Sequence, residues 1–454
     1  MTHWFPRVFG CVEQDKDSCI TLEYIDDDLP ILKASGRTYL PGTFYYPTLK
    51  KIRADAMESS KLFFQKNKSS WHEAFPNQLN FKNLENLNIM DALGNTYYRN
   101  SVFQVASQTN CLEHPNSGIS PEQGISNYDQ DKTQGPACSV ACPAGTFFRN
   151  WYGLPGYKPQ NRRNQINLLE EVEKKIKNRD SSGNIKYFTQ RNGYVLMSDE
   201  QKINFEDFIA RKNFPVKQDK FIKNVVDNIQ IGVMEDTEVL TYGTLDNIKI
   251  YKYEPNIDKK FTVTQAFCSA ISLDGVYNTP DPNNINILAR AILDAQYEAV
   301  LWLAVKNACD TGNNVVFLTQ VGGGVFQNPI EWIHSAITRA INIIKKHGFP
   351  LCVYLVHYGN ISHHGYYSLE GLSCDYETGE GLDDFSPLSN NKLQGEISNQ
   401  KVLAKIDNCR MKLGRLSKKV VKNSKKGKRK YSKRKMAPLL TFQKGISKIL
   451  KNRK

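Results

Sequence analysis

The chain has 454 residues, of which 40% are apolar and 11% aromatic, and a formal net charge of +14. That length and composition support one large globular domain or two ordinary ones, and no stretch approaches the roughly 20 apolar residues of a membrane span. The charge is uneven: 19 Lys and Arg and no acidic residue fall within 410–454, so residues 1–409 carry −5 and the basicity belongs to a tail.

In chain order, residues 1–40 mix short apolar runs with an acidic patch at 26–28. A Pro-Gly turn at Pro41-Gly42 leads into a helix expected over 48–65, with Thr48 as its cap. A second helix is expected over 84–92. Residues 101–107 (SVFQVAS) read as a strand, followed by a long loop over 113–132; a loop of that length inside a domain usually has a function. Small residues dominate 137–144, which suits a tightly packed helix entered through Gly135-Pro136. Residues 164–178 carry Ile166, Leu168, Leu169, Val172 and Ile176 at helical spacing. Residues 185–197 suit a hairpin around Asn192-Gly193, and 198–211 a helix capped by Ser198. Residues 228–240 and 261–270 read as strands, 285–309 as a long apolar helix, and 351–358 as a last buried strand.

The most informative stretch is 313–340. Val315 to Thr319 is a β-branched apolar run suited to a buried parallel strand. Gly322, Gly323 and Gly324 follow, and a helix starts near Pro329. Strand, glycines and helix make an anion cradle, because glycine lets main-chain N–H groups approach and the helix start adds a favourable dipole. Strands alternating with helices indicate an α/β domain, a mixed sheet between helix layers. Ligands in such sheets bind beyond the C-terminal strand ends. The loops there offer Gln108, Thr109 and Asn110 for sugar hydroxyls, Thr133, Gln134 and Gly135 at a helix start, Asp274 and Asp281 after a strand, and Phe326 and Asn328 beside the glycines. That set suits a nucleoside diphosphate. It is not a P-loop, since no Gly-Lys-Ser/Thr follows the glycines, nor the usual dinucleotide fingerprint.

Residues 322–329 (GGGVFQNP) resemble the second ligand loop of macrodomains, the ADP-ribose-binding modules. Together with 108–110 (QTN), 128–138 (YDQDKTQGPAC), 236–239 (DTEV) and 268–270 (CSA), in that order, they resemble the divergent macrodomain group of ADP-ribosyl hydrolases. That group includes Legionella effectors acting on ADP-ribosylated ubiquitin. The resemblance implies a three-layer α/β/α macrodomain-like fold, ADP-ribose as ligand or product, and, as in some members, hydrolysis with no cofactor or metal required. Carried over, Gly322, Gly323, Gly324, Val325 and Phe326 would wrap the diphosphate and distal ribose. Asn110 would lie near the distal ribose, and Asp274 and Asp281 would supply catalytic carboxylates. Asp131, in the loop before the helix start, is a third candidate for orienting water, although capping is an equal reading. No Glu-Glu pair follows the glycines, as poly-ADP-ribose glycohydrolases would show.

The expected organisation is an N-terminal extension (1–100) packing on a core (101–375) with a helical insertion near 156–225, a linker (376–409) and a disordered basic tail (410–454). The tail would bind nucleic acid or another anionic surface, or act as a nuclear address. The ten cysteines show neither a disulfide framework nor a zinc spacing, and residues 1–7 lack a signal core; an intracellular protein of the cytoplasm or nucleus is expected. Asp294 and Glu298 read as structural partners of a neighbouring Arg or amide, and His357, His363 and His364 as solvated loop histidines. A non-catalytic ADP-ribose reader and a nucleic-acid-associated structural protein are the alternatives.

Overall fold

A computed structural model describes residues 4–25, 29–67, 78–178, 183, 187–210, 223–250, 261–273, 286–359 and 375–378. Asp274, Asp281, His363, His364 and the basic tail lie outside the described residues. In chain order the strands are β1 (Thr21–Tyr24), β2 (Pro30–Ala34), β3 (Arg37–Tyr39), β4 (Thr43–Tyr45), β5 (Asn80–Glu85), β6 (Val102–Ala106), β7 (Thr189–Arg191), β8 (Tyr194–Leu196), β9 (Gly232–Glu238), β10 (Thr241–Tyr242), β11 (Lys249–Ile250), β12 (Thr262–Cys268), β13 (Val315–Leu318), β14 (Cys352–Val356) and β15 (Asp375–Thr378). Eight of them form the central sheet, in the order β15-β5-β14-β13-β6-β12-β9-β4. From β15 to β12 all neighbours are parallel, and β9 runs antiparallel to both β12 and β4.

The central parallel strands β13 and β14 read as continuous apolar runs because both faces of the sheet are covered there. Successive residues alternate between two cores. Val102, Val316, Leu318, Val353 and Leu355 pack with the helices Leu49–Asn67, Asn286–Thr311 and Ile330–Lys346. Phe103, Val105, Val315, Phe317, Tyr354 and Val356 pack on the other side with Trp4–Phe9, Ile89–Gly94, Gln134–Ala141 and Pro143–Trp151. The architecture is therefore helix, mixed sheet, helix. Phe103 and Phe317 stack at 4.5 Å on adjacent strands, a pair contributing about 0.5–1.5 kcal/mol beyond area burial.

Several expectations need correction. β4 and β5 are built into the sheet, so residues 1–100 include integral strands and the boundary at 100 cuts through the domain. Residues 375–378 pair with β5, so a linker does not begin at 376. Leu84 belongs to β5, and the helix after it is only Ile89–Gly94, capped by Asn88. The helix expected over 164–178 shrinks to Glu170–Ile176. Asparagine side chains compete there: Asn161 accepts from the Arg163 and Asn164 N–H groups, and Asn167 from that of Leu169. The apolar residues before it are buried in non-helical chain, with the Leu168 N–H donating to the Thr109 carbonyl at 2.9 Å.

Other local signals act as written. The Ser198 hydroxyl accepts from the Gln201 N–H and the Gln201 side chain from the Ser198 N–H, a reciprocal cap. Thr48 Oγ1 accepts from the Lys51 N–H. Glu298, 1% exposed, pairs with Arg53 at 2.6 Å and Arg339 at 2.8 Å, tying together the three helices of one layer. His357 is buried rather than solvated, its Nε2 2.9 Å from Asn83 Oδ1.

Candidate functional site

The C-terminal ends of β6, β12 and β13 open onto a cleft of about 220 Å³. Its walls are the start of the helix Gln134–Ala141, the Gly322–Phe326 loop, Ala270, the loop residues Glu113 and His114, and Tyr194 of β8. The helix Asn286–Thr311 fixes two of these strand ends. Gln296 Oε1 accepts the Ser269 N–H at 2.8 Å, and the Tyr297 hydroxyl donates to the Thr319 carbonyl at 2.7 Å while accepting the Val321 N–H at 3.0 Å.

Gly322 is the position in the loop that demands glycine. Its φ is +80°, and a Cβ there would lie 2.5 Å from Ala270 Cβ and 2.7 Å from Asn328 Nδ2. At Gly324 a Cβ would meet nothing within 4 Å. Gly323 has an ordinary φ, and its added Cβ would press on Ile333 Cδ1 at 3.0 Å. The N–H groups of Gly324, Val325 and Phe326 make no main-chain hydrogen bond among the described residues, and Val325 projects into solvent at 62% exposure. Across the cleft, Gln134 and Gly135 open the helix with N–H groups likewise outside the main-chain ladder. Gly135 touches the Ala106 carbonyl so closely that no side chain fits between helix and strand. Two sets of N–H groups without main-chain partners among the described residues thus flank one cleft, which is the arrangement that cradles a phosphate.

Other expected ligand residues have structural duties. The Gln134 side chain bridges β6, with Oε1 accepting the Ala106 N–H and Nε2 donating to the Gln104 carbonyl, both at 2.8 Å. Gln108 borders the cleft, but its amide is paired with the main chain of His114 at both ends. Asn110 is fully buried and does not line the cleft. The Asn328 amide donates to the Ile271 carbonyl at 2.8 Å and closes the glycine loop from behind. Asp131 lines the cleft and its Oδ1 accepts the Thr133 N–H at 2.9 Å, so it shapes the turn into the helix. Thr133 is the residue before that helix, and its side chain makes no cap bond.

Sequence reasoning missed Glu113, His114 and Tyr194. Glu113 is buried against Arg149 at 3.1 Å and accepts the Ser139 hydroxyl at 2.8 Å. Burial pushes its carboxyl above the ordinary range, with Arg149 opposing. Burial pushes the His114 imidazole down to about 4, which leaves it neutral at physiological pH. Tyr194 arrives on the β7–β8 hairpin, its ring 5.6 Å from Phe326. The hairpin was legible, but nothing in the sequence said which cleft it would border.

A second pocket of about 320 Å³ adjoins the cleft and shares Thr133, Gln134 and Thr319 with it. It is mostly apolar, walled by Leu87, Ile89, Ala137, Leu245 and Val356, with Asn88 and Lys132 at its polar edge.

No protein-family model matches the chain, and no curated protein matches it. Among solved structures, the chain is similar to poly(ADP-ribose) glycohydrolase from Thermomonospora curvata, with 10% identity, 76% of this chain and 89% of that chain covered, and a TM-score of 0.34. It is also similar to poly(ADP-ribose) glycohydrolase from Deinococcus radiodurans in complex with ADP-ribose, with 10% identity, 71% and 90% covered, and a TM-score of 0.33. At those scores the likeness assigns neither activity nor substrate. Among the described residues, no helix is long and apolar enough to cross a membrane.

Proposed function

We propose that this chain binds ADP-ribose in the cleft and hydrolyses it from a modified protein. One observation carries the reading: the glycine loop and the start of the helix Gln134–Ala141 line one cleft with N–H groups that make no main-chain hydrogen bond among the described residues, and an apolar pocket adjoins it. The diphosphate would lie between Gly324–Phe326 and Gln134–Gly135, held by N–H groups and the helix dipole. The base would enter the apolar pocket, and the distal ribose would rest against Phe326.

Hydrolysis then needs a carboxylate near the anomeric carbon. Leu273, the residue before Asp274, donates its N–H to the Phe326 carbonyl at 2.8 Å, which supports a catalytic contribution from that loop. Asp274 or Asp281 would take a proton from water as its oxygen bonds to the anomeric carbon. The bond to the acceptor breaks, and the proton taken from water passes to the departing acceptor, which returns the carboxylate to its ionised form. An ADP-ribosylated protein is the substrate class, and ubiquitin is one acceptor to try. The basic tail would add an anionic partner such as nucleic acid, with binding that weakens steeply as salt rises.

A non-catalytic reader is the second reading. It is favoured by the engagement of both described carboxylates that line the cleft, Glu113 with Arg149 and Asp131 with Thr133. Calorimetry with ADP-ribose, followed by incubation with Arg-, Asp/Glu- and Ser-linked ADP-ribosylated acceptors, decides between them. Binding with release of ADP-ribose supports the hydrolase, and binding without release supports the reader. Gly324→Glu, which sets a carboxylate in the open space beside the proposed phosphates, should abolish binding; unchanged affinity would remove the site.

A further inference from the structure

The β7–β8 hairpin reaches the cleft through Tyr194, which lines it but not the apolar pocket. Asn192 and Gly193 both have positive φ, 49° and 81°, as a two-residue hairpin turn of this hand requires. The turn is held from outside. The Gly193 carbonyl accepts the Thr109 N–H at 3.0 Å and hydroxyl at 2.8 Å. Asn192 accepts from the Gln165 amide at 2.9 Å and donates to the Ser117 carbonyl at 2.8 Å. Asn110 lies behind this turn. Its amide donates to Gln165, its Oδ1 accepts the Leu112 N–H, and a Cβ on Gly193 would come within 2.6 Å of that oxygen. A ligand in the cleft has no route to it.

His114 stands on the cleft side of the same turn. Its N–H donates to Gln108 Oε1 at 3.0 Å, and its carbonyl accepts the Gln108 amide at 3.0 Å and the Tyr194 hydroxyl at 2.8 Å. The ring meets Tyr128 edge-on at 5.6 Å. The residue is 3% exposed, yet its Nε2 has no hydrogen-bond partner among the described residues. A buried polar atom without a partner is costly, and native proteins retain one chiefly where a ligand or water completes the pairing. His114 is thus fixed by three hydrogen bonds to its main chain while its ring retains an unmet one.

We propose that His114, rather than Asn110, recognises the distal sugar of the bound nucleotide, with Nε2 pairing to a ribose hydroxyl and Tyr194 and Phe326 packing on the sugar. This rests on the ADP-ribose reading above. The placement follows from the pockets: His114, Tyr194 and Phe326 line the cleft but not the apolar pocket, so they face the end of the ligand remote from the base. A hydroxyl is the fitting partner, since the neutral ring brings no charge to a phosphate and can donate to or accept from an alcohol.

The test compares ADP-ribose with ADP, which lacks the distal sugar, by calorimetry on the full chain. His114→Phe should weaken ADP-ribose about tenfold and ADP less than twofold, the loss expected for one buried hydrogen bond. His114→Gln retains hydrogen-bonding capacity and should hold ADP-ribose within about threefold. The unliganded His114→Phe protein should melt no lower than wild type, because it removes an unpaired buried nitrogen. Should it fail to fold, Tyr194→Phe, which removes one bond fixing His114, should weaken ADP-ribose several-fold with ADP unaltered. Equal effects on the two ligands, or wild-type ADP-ribose affinity in His114→Phe, overturn the assignment and leave the ADP-ribose reading intact. Wild type that binds neither ligand removes that reading, and this assignment with it.

Discussion

The Glu113 carboxylate meets the Arg149 guanidinium at 3.1 Å, with both side chains out of solvent. Arg149 also donates to the Cys111 carbonyl and lies over the Phe267 ring at 3.8 Å. One ion pair therefore joins the loop after β6 to the helix Pro143–Trp151 and to β12. Its net contribution against apolar replacements is small, but removing one partner strands the other charge. Glu113→Ala should lower unfolding free energy by about 3–5 kcal/mol in urea titration. A loss below about 1 kcal/mol would show that Arg149 finds another partner or reaches water.

The glycine loop should respond unequally along its length. Gly322→Ala forces a side chain at φ +80° into Ala270 and Asn328, and the strain should cost about 1–3 kcal/mol and weaken ADP-ribose binding. Gly324→Ala meets open space and should change stability by less than about 0.5 kcal/mol. Thermal melts of both variants, with and without ADP-ribose, check the pair; equal shifts would mean the loop is not built as described.

Patterns fixed by neighbours in sequence were legible from the sequence alone. The apolar run at Val315, the Asn192-Gly193 turn, the Ser198 cap and the helix after Pro329 each depend on local spacing. Pairing decided by distant residues was not. Gln108 and Asn110 look like sugar-binding amides, but His114 and Gln165, supplied by later loops, take up their hydrogen bonds. Residues 80–85 gave no strand signal, because a strand completed by β14 and β15 across long separations needs little alternation of its own. His114 carried no sequence mark at all, since burial and the lack of a ring partner are properties of the fold.

Acid should reveal the same histidine. The unfolded chain protonates it near pH 6.5, whereas burial holds the folded group to about 4. Between those values the unfolded state binds more protons, so this residue makes stability fall as pH drops through the window, by at most about 3 kcal/mol. Carboxylates titrate nearby, Glu113 among them, so the informative quantity is wild type minus His114→Gln. That difference should be flat above pH 7 and should grow in favour of the variant as pH approaches 4. A difference independent of pH in urea titrations would mean that the ring is solvated.

The carboxylates can be separated by what each substitution preserves. Asp131 Oδ1 accepts the Thr133 N–H, and asparagine keeps an oxygen there, so Asp131→Asn should retain turnover within about threefold if its duty is the turn. Asp131→Ala loses the acceptor and should cost about 1 kcal/mol of stability, a typical loss for a turn or cap bond. Asp274→Asn and Asp281→Asn should instead reduce ADP-ribose release at least a hundredfold for whichever residue handles the water, with ADP-ribose affinity within about threefold, because general base catalysis contributes 10²–10⁴ in rate. Single-turnover assays beside calorimetry on the same preparations read both quantities. Full activity in both variants, with loss in Asp131→Asn, would transfer the catalytic assignment to the helix entrance.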